Sequence, residues 1–506
     1  MAVDLLHLPD EILVLVLSYL NTSSSTTSPD AAVVSKPELC ALALTCRRFS
    51  ALTREQVFGC IALKHHNPHL WAIYSPGGPS YSYCDPKRRD GDRIKLLMRT
   101  WDQDQSLLLK RLQCVTWHTE FFDPSLREEF FDCLARSESL VKLNLASCSR
   151  EDVRRLTIRI HSPARPSYFA KLRSLRIRPT DPNAIYSRLL SALCTAPMLR
   201  KLDVPAHSIA TLDFDEMSSS RSSSNPSSKV LETLHIGPGS YVDITTYERI
   251  LSRCTGLKQL SCPPPGPGIA FEQCGWRPYP EANCYNFISA LVSQALLPLS
   301  QTLEDLSITD PDIIFSAQDQ TCLDLSAFVR LRKLRISHAV LTGGHCSYYA
   351  DKPLDVICKL LPPHLEQLHV AYDSLAGIFH SMESLEQIAV YPAHPIYSNL
   401  WNNGPGREGM ISRSLRWVTE VAERKRQGQG LSQLRKIDLV ESHTPRLLRQ
   451  YGVGVGLRTL NLRLAHPKLF QEFVKAGIKI GLKIYVPNEW PDDISCSAHH
   501  TVREPS

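Results

Sequence analysis

Gly343-Gly344-His345-Cys346 places an imidazole beside a thiol, the residue types from which a thiolate nucleophile and its base are built. Neighbours in an extended segment point to opposite sides, however, so adjacency does not bring His345 onto the Cys346 sulfur. His65, His66 and His69 include a pair at helical spacing, but Pro68 interrupts them and no further ligand stands nearby; the tail group Cys496, His499 and His500 is similar. Structural zinc needs four nitrogen or sulfur ligands at recognisable spacing, so no metal site is expected. The chain has no phosphate-cradling glycine loop followed by Lys and Ser/Thr, no serine-hydrolase elbow and no paired-cysteine RING pattern. These absences predict a protein that is not an enzyme and takes no cofactor.

The elements around those residues point to interaction instead. The chain has 506 residues, 43% of them hydrophobic and 21% charged, which suits a soluble protein with several cores or one extended array. Its net charge of +6 comes from scattered basic residues rather than one basic segment, so no nucleic-acid partner is expected. The 16 cysteines follow no close paired spacing and read as reduced thiols of the cytoplasm or nucleus, with Cys114, Cys148 and Cys262 where a small buried hydrophobe fits. The opening apolar run is short and carries Asp4, Asp10 and Glu11 where a secretion signal would carry Lys or Arg. No stretch reaches the roughly 18 apolar residues that a membrane span requires.

Pro9, Asp10 and Glu11 open a helix, with proline in its first turn and two acids at the positive end of its dipole. The next six residues, from Ile12 to Leu17, are all apolar and cover the whole circumference. Two more short helices are predicted, over 37–45 and 47–58. Three such helices either cover the first helix completely, as a cap on the rest of the chain, or leave one side of it open to a second chain. The order Leu8-Pro9-Asp10-Glu11-Ile12, Leu17, Leu20, Pro37-Glu38-Leu39, Cys46-Arg47-Arg48-Phe49 and Leu52 resembles the F-box family. That resemblance implies docking to the Skp-type adaptor of a cullin and RING ubiquitin ligase, with Leu8, Pro9, Ile12, Leu17, Leu20 and Leu39 as contacts. The Ser/Thr-rich join over 21–36 is longer than the family's, a tolerable change because loop-closure cost grows slowly with length.

A Pro, Gly, Tyr and charge-rich stretch over 67–92 reads as a linker. Beyond it a phrase recurs: Leu, two mostly polar residues, Leu or Ile, one residue, then an aliphatic residue or Cys. It stands at Leu140-Leu143-Leu145, Leu172-Leu175-Ile177, Leu199-Leu202-Val204, Leu231-Leu234-Ile236, Leu257-Leu260-Cys262, Leu303-Leu306-Ile308, Leu331-Leu334-Ile336, Leu365-Leu368-Val370, Leu385-Ile388-Val390, Leu434-Ile437-Leu439 and Leu457-Leu460-Leu462, with a degraded copy at Leu109-Leu112-Cys114. Its last two apolar positions alternate as in a strand with one buried face. Helical patterns lie between copies, over 125–136, 183–194, 244–254, 285–297, 354–361 and 414–427. A short strand and a helix repeated in this way mark a solenoid, and the chain resembles leucine-rich repeats of an irregular kind; an ordinary α/β protein with short strands is the alternative.

The predicted fold is thus α/β: an N-terminal three-helix F-box-like module (1–60), a linker and connecting helix (61–105), and a leucine-rich-repeat-like solenoid of short parallel strands and helices (106–486). Insertions are expected near 263–283 and 391–412, where loops would stand beside a binding face or simply be solvated, with a disordered tail over 487–506. The basic run Arg424-Lys425-Arg426 follows the second insertion. The serine-rich 217–228 is expected to be disordered, and Arg221 leaves a phosphorylation switch open. By the repeat resemblance, the residue between the paired aliphatics faces a protein target, which selects Asn144, Arg176, Asp203, His235, Arg335, His369 and Asp438 as candidate substrate contacts. The functional expectation is the substrate-recognition subunit of an SCF-type ligase in ubiquitin-dependent degradation. An F-box scaffold that degrades nothing, and an enzyme built on Cys346, are the alternatives.

Overall fold

A computed structural model of the chain describes residues 112–119, 123–162, 168–179, 187–204, 230–237, 242, 244–265, 284–309, 314–317, 322–342, 355–372, 407–441, 455–459 and 467–487, together with 60–63, 95, 98–99 and the single residues Pro9 and Leu13. It is mixed α/β and divides into two units, Met1–Pro205 and Ala206–Ser506.

In the first unit five parallel strands lie side by side in chain order: β1 (Cys60–Leu63), β2 (Cys114–His118), β3 (Lys142–Cys148), β4 (Ser174–Pro179) and β5 (Lys201–Val204). Helices α1 (Pro124–Ala135), α2 (Arg150–Ile160) and α3 (Ser187–Cys194) make the connections. Proline opens α1. A capping box opens α2: the Asp152 amide donates to Ser149 Oγ and the Ser149 amide donates to Asp152 Oδ2.

The second unit repeats the scheme. Its strands are β6 (Thr233–Ile236), β7 (Gln259–Cys262), β8 (Cys284–Phe287), β9 (Asp305–Ile308), β10 (Ile314–Ala317), β11 (Lys333–Ser337), β12 (Gln367–Tyr372), β13 (Lys436–Glu441), β14 (Val455–Thr459) and β15 (Lys479–Pro487). Its helices are α4 (Ile244–Arg253), α5 (Ser289–Leu296), α6 (His338–Thr342), α7 (Asp355–Leu360), α8 (Arg407–Arg426) and α9 (Pro467–Lys475). Strands β6, β7, β9, β11, β12, β13 and β15 run parallel in that order, β14 closes the edge antiparallel to β15, and β8 pairs with β10 apart from the rest.

Each phrase from Leu140 to Leu434 that falls on described residues does one job. Its two paired aliphatics, from Leu143 and Leu145 on β3 to Ile437 and Leu439 on β13, are at most 2% exposed, and the leading leucine turns inward just before the strand. Three large side chains per turn, each contributing about 1.5–3 kcal/mol on burial, hold one turn to the next. The backbone repeats as strictly: the amides of Lys258 and Gln259 both donate to the Glu232 carbonyl, those of Arg332 and Lys333 to Glu304, and those of Arg435 and Lys436 to Glu366. In the second unit the residue just ahead of β6, β7, β9, β11, β12 and β13 alternates in sign, Glu232, Lys258, Glu304, Arg332, Glu366 and Arg435, with ion pairs at Lys258–Glu232 and Arg332–Glu366. Such exposed pairs add only tenths of a kcal/mol, but like charges placed opposite one another would cost stability.

Four expectations are corrected. The degraded copy at Leu109-Leu112-Cys114 stands three residues later: Leu112, Val115 and Trp117 are the buried set, and Val115 and Trp117 pair with Leu143 and Leu145. That shift puts Cys114 on the other strand face, half-exposed, while Cys148 and Cys262 are buried as expected. The copy at Leu457 is no further parallel strand: Leu457 is 45% exposed on antiparallel β14, and β15 takes the place beside β13 through Ile480 and Leu482. The copy at Leu385 lies outside the described residues, and β12 and β13 pair directly over six residues. The helix expected over 285–297 begins at Ser289, because Cys284–Phe287 is a strand.

Candidate functional site

The face of each strand opposite the buried aliphatics carries the candidate residues, and parallel pairing sets them in register. In the first unit the row reads Ala62, Thr116, Asn144, Arg176, Asp203. Asn144 is nearly buried, its Nδ2 reaching Thr116 Oγ1 at 3.5 Å, and its Oδ1 finds no hydrogen-bond partner. Arg176 Nε lies 3.2 Å from Asp203 Oδ2, both side chains being less than one-fifth exposed. These two neutralise each other, so this row offers an incoming chain polarity and little net charge.

In the second unit the row reads His235, Ser261, Ser307, Arg335, His369, Asp438, Gly481. The structure therefore brings all seven candidate contacts onto strand positions of equivalent register, three in one unit and four in the other. Burial pushes the His369 imidazole below its ordinary pKa; Asp438 opposes that shift, while Arg335, Lys436 and Lys483 add to it. His369 is thus neutral near pH 7 and lies within the field of three cations. Asp438 bends away: its Oδ2 pairs with Lys436 Nζ at 2.6 Å, and its Oδ1 occupies the space beside Gly481, where a Cβ would come within 2.6 Å of it.

The row chosen from the phrase leaves out its neighbours on the same face. Two residues earlier on each strand stand Asp305, Lys333, Gln367, Lys436 and Lys479, again in register. Two residues later, on β15, stands Lys483. Strand parity alone would have found them, since residues i−2 and i+2 share a face with i. Arg424-Lys425-Arg426, by contrast, closes α8. Lys425 Nζ donates to the Leu434 and Gly477 carbonyls, Arg424 pairs with Glu420 and Arg426 with Glu472, so this basic run ties the helix to its surroundings.

Of the candidate adaptor contacts, Pro9 is exposed, and the Leu13 amide donates to its carbonyl at 3.1 Å, one turn of helix. Leu13 is 1% exposed, so this member of the apolar run is already covered by its own chain. Leu8, Ile12, Leu17, Leu20 and Leu39 lie outside the described residues, as do His65, His66, His69, Arg221, His345, Cys346 and the Cys496 group. Among the described residues no His, Cys, Asp and Glu cluster could hold a metal ion, and no helix is long and apolar enough to cross a membrane.

A family model described as F-box-like matches residues 5–58. No curated protein matches the chain. Among solved structures, the chain is similar to one in "Crystal structure of Rad7 and Elc1 complex in yeast", at 13% identity and a TM-score of 0.19, over 71% of this chain and 96% of that one.

Proposed function

We propose that the chain is the substrate-recognition subunit of an SCF-type ubiquitin ligase. Its F-box-like segment would dock a Skp-type adaptor through Leu8, Pro9, Ile12, Leu17, Leu20 and Leu39, and through that adaptor join cullin and RING subunits. Its leucine-rich-repeat-like solenoid would hold a protein target by the open strand face, with Asn144, Arg176, Asp203, His235, Arg335, His369 and Asp438 among the contacts. The observation that carries this reading is the F-box-like match over residues 5–58, ahead of an in-register polar strand face. Such a subunit does no bond chemistry. It raises the local concentration of target lysines near the charged ubiquitin carrier, a proximity effect. An open, graded face suits a protein ligand better than a small molecule, which needs a concave apolar pocket. Buried thiols outside any disulfide, such as Cys254 and Cys262, favour the reducing cytoplasm or nucleus as its place of work.

The test is co-purification of the full chain with a Skp-type adaptor, beside a variant carrying Leu8→Ala, Ile12→Ala and Leu17→Ala. Loss of adaptor from the variant supports the reading, and equal recovery overturns it. Half-lives of captured partners, with and without the chain, separate a degradation receptor from a scaffold, which leaves them unchanged.

A further inference from the structure

The positive charge on the open face of the second unit is concentrated at one end. Lys333, Lys436 and Lys479 occupy one row of β11, β13 and β15; Arg335 lies two residues further along β11 and Lys483 four residues further along β15. All five are exposed. The acid among them, Asp438, is neutralised at 2.6 Å by Lys436 and turned over Gly481. Among the described residues no carboxylate closes an ion pair with Lys333, Arg335, Lys479 or Lys483, although Asp305 of β9 stands in register beside Lys333, so two positive charges on β11 and two on β15 stay open.

We propose, resting on the receptor reading above, that this face seats an extended acidic segment of the partner protein. Neighbouring strands stand about 4.8 Å apart, so the row from Lys333 to Lys479 spans about 15 Å. An extended peptide crossing the strands covers that length in about five residues, with same-side carboxylates about 6.6 Å apart. Carboxylates on such a chain reach Lys333 and Lys479 at the two ends of the row, and Arg335 offers a bidentate fork at the side. Neutral His369 between β11 and β13 accepts or donates a hydrogen bond without adding charge. A polynucleotide fits less well. Single strands are held by a basic groove combined with stacking rings, and the open-face side chains of β11, β12 and β13, and of β15 from Lys479 to Lys483, include no Phe, Tyr or Trp.

The experiment measures fluorescence anisotropy of a labelled peptide of about eight alternating Glu and Ser residues, titrated with the full chain, against a Lys and Ser peptide of equal length. The Glu peptide is expected to bind and to weaken with salt. Lys333→Glu with Lys479→Glu is expected to weaken it at least about tenfold, and Lys333→Gln with Lys479→Gln by less, in that order. Lys142→Glu with Lys171→Glu, exposed positions of the other unit, should leave it unchanged. Circular dichroism checks that each variant folds; should the Glu pair unfold, the Gln pair decides. Equal binding of both peptides, equal loss in the Lys142 and Lys171 control, or displacement of the peptide by a lower concentration of single-stranded polynucleotide would each overturn the proposal. Adaptor recovery is scored on the same preparations. Adaptor retained with no peptide binding sinks this inference alone, whereas peptide binding without adaptor sinks the receptor reading and leaves the acidic seat standing.

Discussion

The Arg127 guanidinium of α1 donates to both carboxylate oxygens of Asp152 on α2, at 3.1 and 2.9 Å, and thereby fastens two successive helices of the first unit. Asp152 is 1% exposed and accepts besides from the Thr119 hydroxyl at 2.9 Å, the Ser149 hydroxyl at 2.7 Å and the Ser149 amide. One carboxylate therefore serves as ion-pair partner, helix cap and link to the end of β2. Asp152→Ala strands a mostly buried guanidinium and removes the side-chain half of the capping box of α2; removing one partner of a buried pair costs about 3–5 kcal/mol, and this site belongs near the lower figure because Arg127 keeps some contact with water. Chemical denaturation should show a loss of about 3 kcal/mol, and a loss under 1 kcal/mol would mean that Arg127 re-pairs with solvent at little cost.

Asp438 and Gly481 make a second testable couple. A Cβ at Gly481 meets Asp438 Oδ1 at 2.6 Å, and that carboxylate is held by Lys436. Gly481→Ala should cost about 1 kcal/mol in the native chain and nothing in an Asp438→Ala background, where the colliding oxygen is gone. Thermal or urea melts of the four chains close the cycle. Additive losses would show that the side chain simply swings aside.

Much of this face is legible in the residues themselves. Phrases from Leu140 to Ile437 carry two signals at once, a leucine ahead of the strand and alternation within it, and all nine that fall on described residues over that span have their aliphatics buried. Signals failed where one of the two was missing. At the first turn a valine stands for the Leu or Ile and a tryptophan for the aliphatic, so Leu112-Val115-Trp117 matches the phrase less well than the leucine pair three residues earlier. At the last turn a glycine replaces the leading leucine: Gly477, at φ +64°, is the left-handed residue that ends α9, and the Gly477 and Ile478 amides return to Val474 and Phe473. Helix α2 gives a weak signal because its buried stripe is narrow, Val153, Leu156 and Thr157, and the rest is crowded with charge, Arg154, Arg155 and Arg159 reaching Glu151, Glu128 and Asp132. The charge at the far end of the open face does not follow from the phrase, which marks one position per strand on a face that holds two or three.

The first turn rests on an aromatic cluster that its sequence hides. Trp117 meets Phe130 edge-on at 4.6 Å and Phe131 at 4.9 Å between ring centres, and all three are fully buried. Trp117→Ala should cost about 3–5 kcal/mol, while Trp117→Leu, which restores the residue of the common phrase, should recover part of that without the ring contacts. Intrinsic fluorescence and denaturation of the two variants give the comparison, and equal losses would show that ring geometry contributes nothing beyond volume.

His338 gives the acid response a definite sign. It opens α6 at the end of β11, is 4% exposed, stacks on Tyr372 at 4.2 Å with an interplanar angle of 17°, and lies 6.4 Å from the Trp417 ring. Burial lowers its pKa from 6.5 to about 3. In the unfolded chain this imidazole takes up a proton as pH falls through about 6.5, whereas in the folded chain it stays neutral until about pH 3. The unfolded state alone gains from protonation across that window. Stability contributed by neutral His338 is therefore whole above pH 6.5 and is lost progressively below it, by an amount on the order of a few kcal/mol by pH 3. His338→Phe keeps a flat ring on Tyr372 and removes the titrating group, so urea midpoints measured from pH 7.5 down to 4 should fall less steeply in the variant. Equal slopes would mean that solvent reaches the imidazole in the native state and that its burial does not govern the response to acid.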